Sequence, residues 1–207
     1  MDVIWYKYIK HYEKLGINPK RICKDGIIDF NEFHKAKPKI LFIMKDVNDF
    51  EGGDLREWLK EGPRYMWHTI AKWSAGMLND FPMYEEVVHY DVKKEALKKI
   101  AAINLKKSSG KATVAPEIVN AYAHQDRELL LEQIDSIAPD LIISCGVMDQ
   151  LIWLLDLKVN PEKPSNEPIK DKARNIWVVP FRHPARAGGR EVYNKLKEIA
   201  TKYKGKL

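Results

Sequence analysis

Four short apolar runs, K-I-L-F-I-M at 39–44, K-I-A-A-I-N-L at 99–105, L-I-I-S-C-G at 141–146 and N-I-W-V-V-P-F at 175–181, constrain this chain more than any other feature. A run of this length without polar alternation has no solvent face, so it reads as a strand covered on both sides, the signature of parallel pairing. Parallel strands cannot be joined by tight hairpins and need crossovers, which are helical and right-handed. The expected fold is therefore α/β: three-layer α/β/α with a central, mostly parallel four-stranded sheet.

The segments between the runs agree. Residues 2–15 place Val3, Ile4, Tyr8, Ile9, Tyr12 and Leu15 at a mostly helical spacing. Residues 16–38, with Gly16, Pro19, Gly26 and Pro38, read as loop, and 45–63 as a long loop with a helical turn near 54–60. Helices are expected over 64–79, 93–98, 115–137, 148–155 and from Gly189 to about Tyr203, with Pro116 at the first turn of the longest and Pro139 beyond its end. Residues 158–174 read as a Pro- and Lys-rich loop. A chain of 207 residues suits one domain, with 1–37 as an N-terminal extension and 38–203 as the core.

Composition excludes several classes. No run approaches the roughly 18 apolar residues of a membrane span, and Asp2 follows Met1 with no signal-peptide pattern. Two cysteines, Cys23 and Cys145, are too few for a disulfide framework or a four-cysteine metal centre, so a cytoplasmic location is expected, without a metal cluster or cofactor. The formal charge of +6 is concentrated at one end, where residues 181–207 hold eight basic side chains against Glu191 and Glu198. Such a segment suits a polyanion surface or a solvated terminal helix.

In parallel α/β sheets ligands gather at the carboxyl ends of the strands. The segments there are 44–53, 104–114, 145–149 and 181–190. The first carries Asp46, Asn48 and Asp49, able to orient water or offset positive charge, or else to build a turn. The second carries Asn104, whose amide is both donor and acceptor and can read a base edge. The last carries His183, which can donate to a developing anion, followed by a Gly188-Gly189 turn. No glycine-rich dinucleotide fingerprint or phosphate loop is present.

Taken in order, these segments resemble the uracil-DNA glycosylase superfamily over about residues 38–200, and most closely its smaller bacterial and archaeal branch without iron–sulfur cysteines. L-F-I-M-K-D-V-N-D at 41–49 resembles the water-activating first motif. I-N-L-K-K at 103–107 resembles the strand whose asparagine contacts the uracil edge. V-V-P-F-R-H-P-A-R at 178–186 resembles the last motif, a strand ending in His-Pro before the loop that enters DNA. Met44 and Val47 depart from the first motif, where many members have glycine and proline.

The resemblance implies a monofunctional glycosylase of base-excision repair, which hydrolyses the N-glycosidic bond of uracil or another deaminated base flipped out of DNA. It implies Asp46 as the group orienting water, with Asn48 or Asp49 as alternatives, and His183 as donor to the departing base. Asn104 would hold the base edge, Met44 would line the pocket floor, and Phe50, Tyr65 or Trp67 would stack on the base. Arg186 falls where the family inserts a wedge, and Arg182, Arg190, Lys106 and Lys107 would contact phosphates. The expected partner is damaged DNA, bound by a monomer with no membrane association. Two other readings stay open: a non-catalytic DNA-binding module of the same fold, and a doubly wound enzyme acting on a free nucleotide.

Overall fold

The computed structural model describes residues 2–47, 52–109, 114–160, 162, 166–185 and 187–203. In chain order, the elements are α1 (Asp2–Lys14), β1 (Cys23–Lys24), β2 (Gly26–Ile27), α2 (Phe30–Lys35), β3 (Ile40–Met44), β4 (Gly53–Asp54), α3 (Leu55–Lys60), α4 (Trp67–Leu78), α5 (Tyr84–Val87) and α6 (Tyr90–Lys98). They continue with β5 (Ile100–Asn104), α7 (Pro116–Gln125), α8 (Arg127–Ile137), β6 (Leu141–Cys145), α9 (Met148–Leu154), β7 (Ile169–Asp171), β8 (Ile176–Phe181) and α10 (Arg190–Lys202).

All four expected strands are present and mutually parallel, in the order β5-β3-β6-β8. The four-strand expectation is corrected, however. Among the described residues the main sheet has six strands, because β2 pairs antiparallel with the outer edge of β5 and β7 antiparallel with that of β8. Strands of two or three residues have no apolar run or alternation to display. They form because an existing edge offers unpaired backbone groups. The 1–37 segment is thus built into the fold, with β2 in the sheet and Phe33 of α2 fully buried.

Alternate residues of each parallel strand enter different cores. Ile40, Phe42, Met44, Ile100, Ala102, Ile143 and Val179 pack with residues of α3, α4, α6 and α10. Leu41, Ile43, Ala101, Ile103, Ile142 and Val178 pack with residues of α2, α7, α8 and α9. The path from β3 to β5 runs one way along the sheet and the paths from β5 to β6 and β6 to β8 run the other. A fixed crossover hand then requires the intervening helices to lie on opposite faces, as they do. The direction reverses between β3 and β6, so the carboxyl ends of those two strands are the topological switch point.

The single helix expected over 115–137 is two, α7 and α8, broken at Asp126. Asp126 is buried, accepts a hydrogen bond from the Tyr12 hydroxyl at 2.6 Å and faces the His11 ring at 3.1 Å. The break lets one carboxylate anchor α1, whose Trp5, Tyr8 and Tyr12 form a third apolar cluster.

Candidate functional site at the carboxyl edge of the sheet

β3 continues its pairing past its own end: the Leu105 N–H donates to the Met44 carbonyl and the Lys106 N–H to the Lys45 carbonyl, both at 2.9 Å. This holds 45–46 and 105–106 side by side at the rim. Asp46 is half-buried there, and its charge acts on Lys106. Burial holds the Lys106 ammonium below its ordinary range, while Asp46 pulls it back up. The Lys106 Nζ donates to the Ser108 carbonyl and lies 5.2 Å from the Tyr122 ring centroid.

On the other side of the switch point, β6 ends in Gly146 at φ +73°, a left-handed conformation that suits glycine. Its N–H donates to the Phe181 carbonyl at 2.8 Å, tying the end of β6 to that of β8. A Cβ at Gly146 would lie 3.4 Å from the His183 nitrogen, an ordinary contact distance, so the His183 segment packs over this strand end and it is the backbone angle that calls for glycine. The Ala185 N–H donates to His183 Nδ1 at 3.2 Å. A nitrogen that accepts cannot carry the proton, so the neutral ring is protonated on Nε2 and offers it as a donor. Burial first, and then the positive charge of Lys45, depress the His183 pKa from its usual 6.5. The imidazole is therefore neutral at pH 7.

These contacts bring Lys45, Asp46, Lys106 and His183 to one rim. Lys45 was not among the expected site residues, although it stands between Met44 and Asp46 at the end of an apolar run. Only the β3-β6-β8 alignment shows it level with Gly146 and influencing His183.

Other expected residues are placed differently. Asn104 is 1% exposed, and both its backbone N–H (2.8 Å) and its Nδ2 (3.3 Å) donate to Asp25 Oδ2, while its Oδ1 is buried without a hydrogen-bond partner. One donor of the amide is thus committed to the protein. Lys107 is 0% exposed and pairs with Asp25 at 2.8 and 3.1 Å. This corrects its expected phosphate contact, because an ammonium enclosed against a carboxylate cannot reach a solvent-side phosphate. Lys106 is likewise buried, with its ammonium turned to the Ser108 carbonyl rather than to solvent. Met44 is fully buried in the core facing α4, and Trp67 belongs to that core, so the indole is not free to stack on a base. Tyr65 is 86% exposed with φ +48°. Arg182 and Arg190 are exposed, and Arg190 pairs with Glu85 and lies over the Tyr84 ring. Asn48, Asp49, Phe50 and Arg186 lie outside the described residues.

The loop that carries His183 is anchored at its far end. The hydroxyl of Tyr84 (2.6 Å) and the ammonium of Lys72 both donate to the Gly188 carbonyl. A side chain on Gly188 would meet the Thr69 hydroxyl at 2.8 Å. Among the described residues no group of three or more His, Cys, Asp or Glu side chains is gathered as metal ligands, and no helix is long and apolar enough to cross a membrane. No family model matches the chain, and no curated protein matches it.

Proposed function

We propose that this chain is a DNA glycosylase of the uracil-DNA glycosylase type, built as a three-layer α/β/α core, which hydrolyses the N-glycosidic bond of a deaminated base. The observation that carries this reading is the neutral His183 at the switch-point rim, with Nδ1 occupied by Ala185 and Nε2–H left to donate, and a carboxylate, Asp46, on the neighbouring rim segment.

In this reading the damaged nucleotide leaves the stack, at about a few kcal/mol, and its base is received at the switch point beside His183. As the C1′–N bond breaks, the electron pair leaves with the base, and positive charge grows on the sugar. His183 Nε2–H donates to the base oxygen on which negative charge develops. Asp46 offsets the sugar charge, orients water toward C1′ and accepts the proton as the new C1′–O bond forms. Lys45 adds a positive charge beside the departing anion.

The test is incubation with labelled oligonucleotides, single- and double-stranded, containing uracil, hypoxanthine or xanthine, followed by alkali to cut abasic sites. Strand breaks with the parent protein, lost in Asp46→Asn and His183→Ala without loss of DNA affinity, are the expected result. Absence of breaks on every substrate, in a preparation that binds DNA, would overturn the enzyme reading in favour of a non-catalytic module.

A second reading, a free nucleotide as substrate, is favoured by the enclosure of Lys106 and Lys107 and the pairing of Arg190 with Glu85, which leave fewer cations for a long DNA backbone. It requires nucleotide turnover with no affinity for the oligonucleotides.

A further inference from the structure

The rim contains a second group of basic side chains that no part of the proposed reaction uses. His68 and Lys72 stand four residues apart on α4, and so on one face of it. Lys93 comes from α6, which packs against α4. All three are half-buried. Their charges oppose one another: burial and then Lys93 and Lys72 depress the His68 pKa, and burial and then Lys72 depress that of Lys93. Neither the His68 nor the Lys93 side chain has a hydrogen-bonded or ion-paired partner among the described residues, and the His68 Nδ1 is buried and unsatisfied.

Like charges gathered without a carboxylate are destabilising unless an anion joins them, and a buried unpaired imidazole nitrogen calls for a partner. The nearby carboxylate of Glu85, on α5, is engaged by Arg190, and that of Glu86 accepts from the Met83 N–H. Lys72 also reaches the Gly188 carbonyl, which places the group against the first turn of α10. Gly189, the N-cap of this 13-residue helix, has no side chain to cap it, so the positive end of α10 points at the same region.

We propose that His68, Lys72 and Lys93 form a phosphate-binding subsite at the carboxyl rim, beside the Gly188 carbonyl that Lys72 holds. The ligand is a phosphate oxyanion. On the proposed glycosylase reading it is a backbone phosphate of the strand bearing the flipped base; the other source is a free phosphate group.

The experiment has two arms. In the first, the His68 ring is titrated by NMR in inorganic phosphate and in chloride at equal ionic strength. Phosphate is expected to raise its midpoint, because the anion stabilises the protonated ring, and Lys93→Gln is expected to abolish that rise. In the second, binding to a single-stranded oligonucleotide is followed against salt. Lys93→Gln is expected to reduce the slope of log K against log salt by about 0.7, one phosphate contact on a single strand. A phosphate-dependent midpoint with an unchanged slope supports the subsite and assigns it to a free phosphate. A midpoint indifferent to phosphate together with an unchanged slope overturns the proposal. Neither arm needs base release, so failure of the glycosylase assay and failure of the subsite are separate results. Lys72 is left intact because it also holds Gly188.

Discussion

Replacing Lys107 by Met removes the cation from the most enclosed ion pair described in the molecule. Asp25 accepts from Lys107 at 2.8 and 3.1 Å, from the Asn104 backbone at 2.8 Å, from Asn104 Nδ2 at 3.3 Å and from Gln133 Nε2 at 3.0 Å. The Lys107 and Asp25 side chains are both 0% exposed. Lys107 Nζ also lies 5.6 Å from the Trp5 ring and 5.5 Å from that of Tyr8, so the pair joins α1 to the sheet edge. Methionine preserves the stem and deletes the charge, leaving a buried carboxylate held only by neutral donors. Loss of one partner of such a pair costs about 3–5 kcal/mol, which for a domain of this size lowers Tm by about 6–20 °C. The assay is urea unfolding at neutral pH followed by tryptophan fluorescence. Asp25→Asn combined with Lys107→Met, which removes both charges, should recover more than half of that loss. A loss below about 1 kcal/mol in Lys107→Met would refute the reasoning, because it would mean that Asp25 reaches solvent or picks up a proton at negligible cost.

Three further outcomes are expected. The His183 ring should titrate below 6.5, and Lys45→Met should move its midpoint upward by removing a like charge; an unmoved midpoint would separate Lys45 from the site. Since folding depresses the pKa of this group, the unfolded chain binds more protons in the window below 6.5. Its contribution to stability therefore falls as pH drops through that window, and His183→Gln should flatten stability against pH there. Gly146→Ala forces an L-residue to φ +73° and brings a Cβ within 3.4 Å of the His183 nitrogen. It should cost about 1–2 kcal/mol by thermal unfolding and shift the His183 midpoint, and on the proposed reading it should impair base release more than DNA binding.

The apolar runs were enough to identify β3, β5, β6 and β8, because strands buried on both faces must be apolar throughout, and their carboxyl ends led directly to Asp46 and His183. The same rule led to Asn104 and Lys107, yet both side chains turn inward to one buried carboxylate. Nothing local indicates that Asp25, 79 and 82 residues away, claims both. The short strands β2 and β7 were invisible for a similar reason: they exist only because an edge of the sheet was there to be paired.

What the sequence alone determined is the class of fold and the polar residues at the carboxyl ends of its strands, since periodicity and polarity are properties of neighbouring residues. What only the tertiary structure decided is which polar side chains at that rim are available. Asp25 neutralises Lys107, Ala185 sets the tautomer of His183, and α4 and α6 bring together the basic side chains of His68, Lys72 and Lys93. The Asp25–Lys107 pair and the approach of Lys93 to α4 join groups far apart in the chain, and a residue's burial and charge partners come into being only when the layers close.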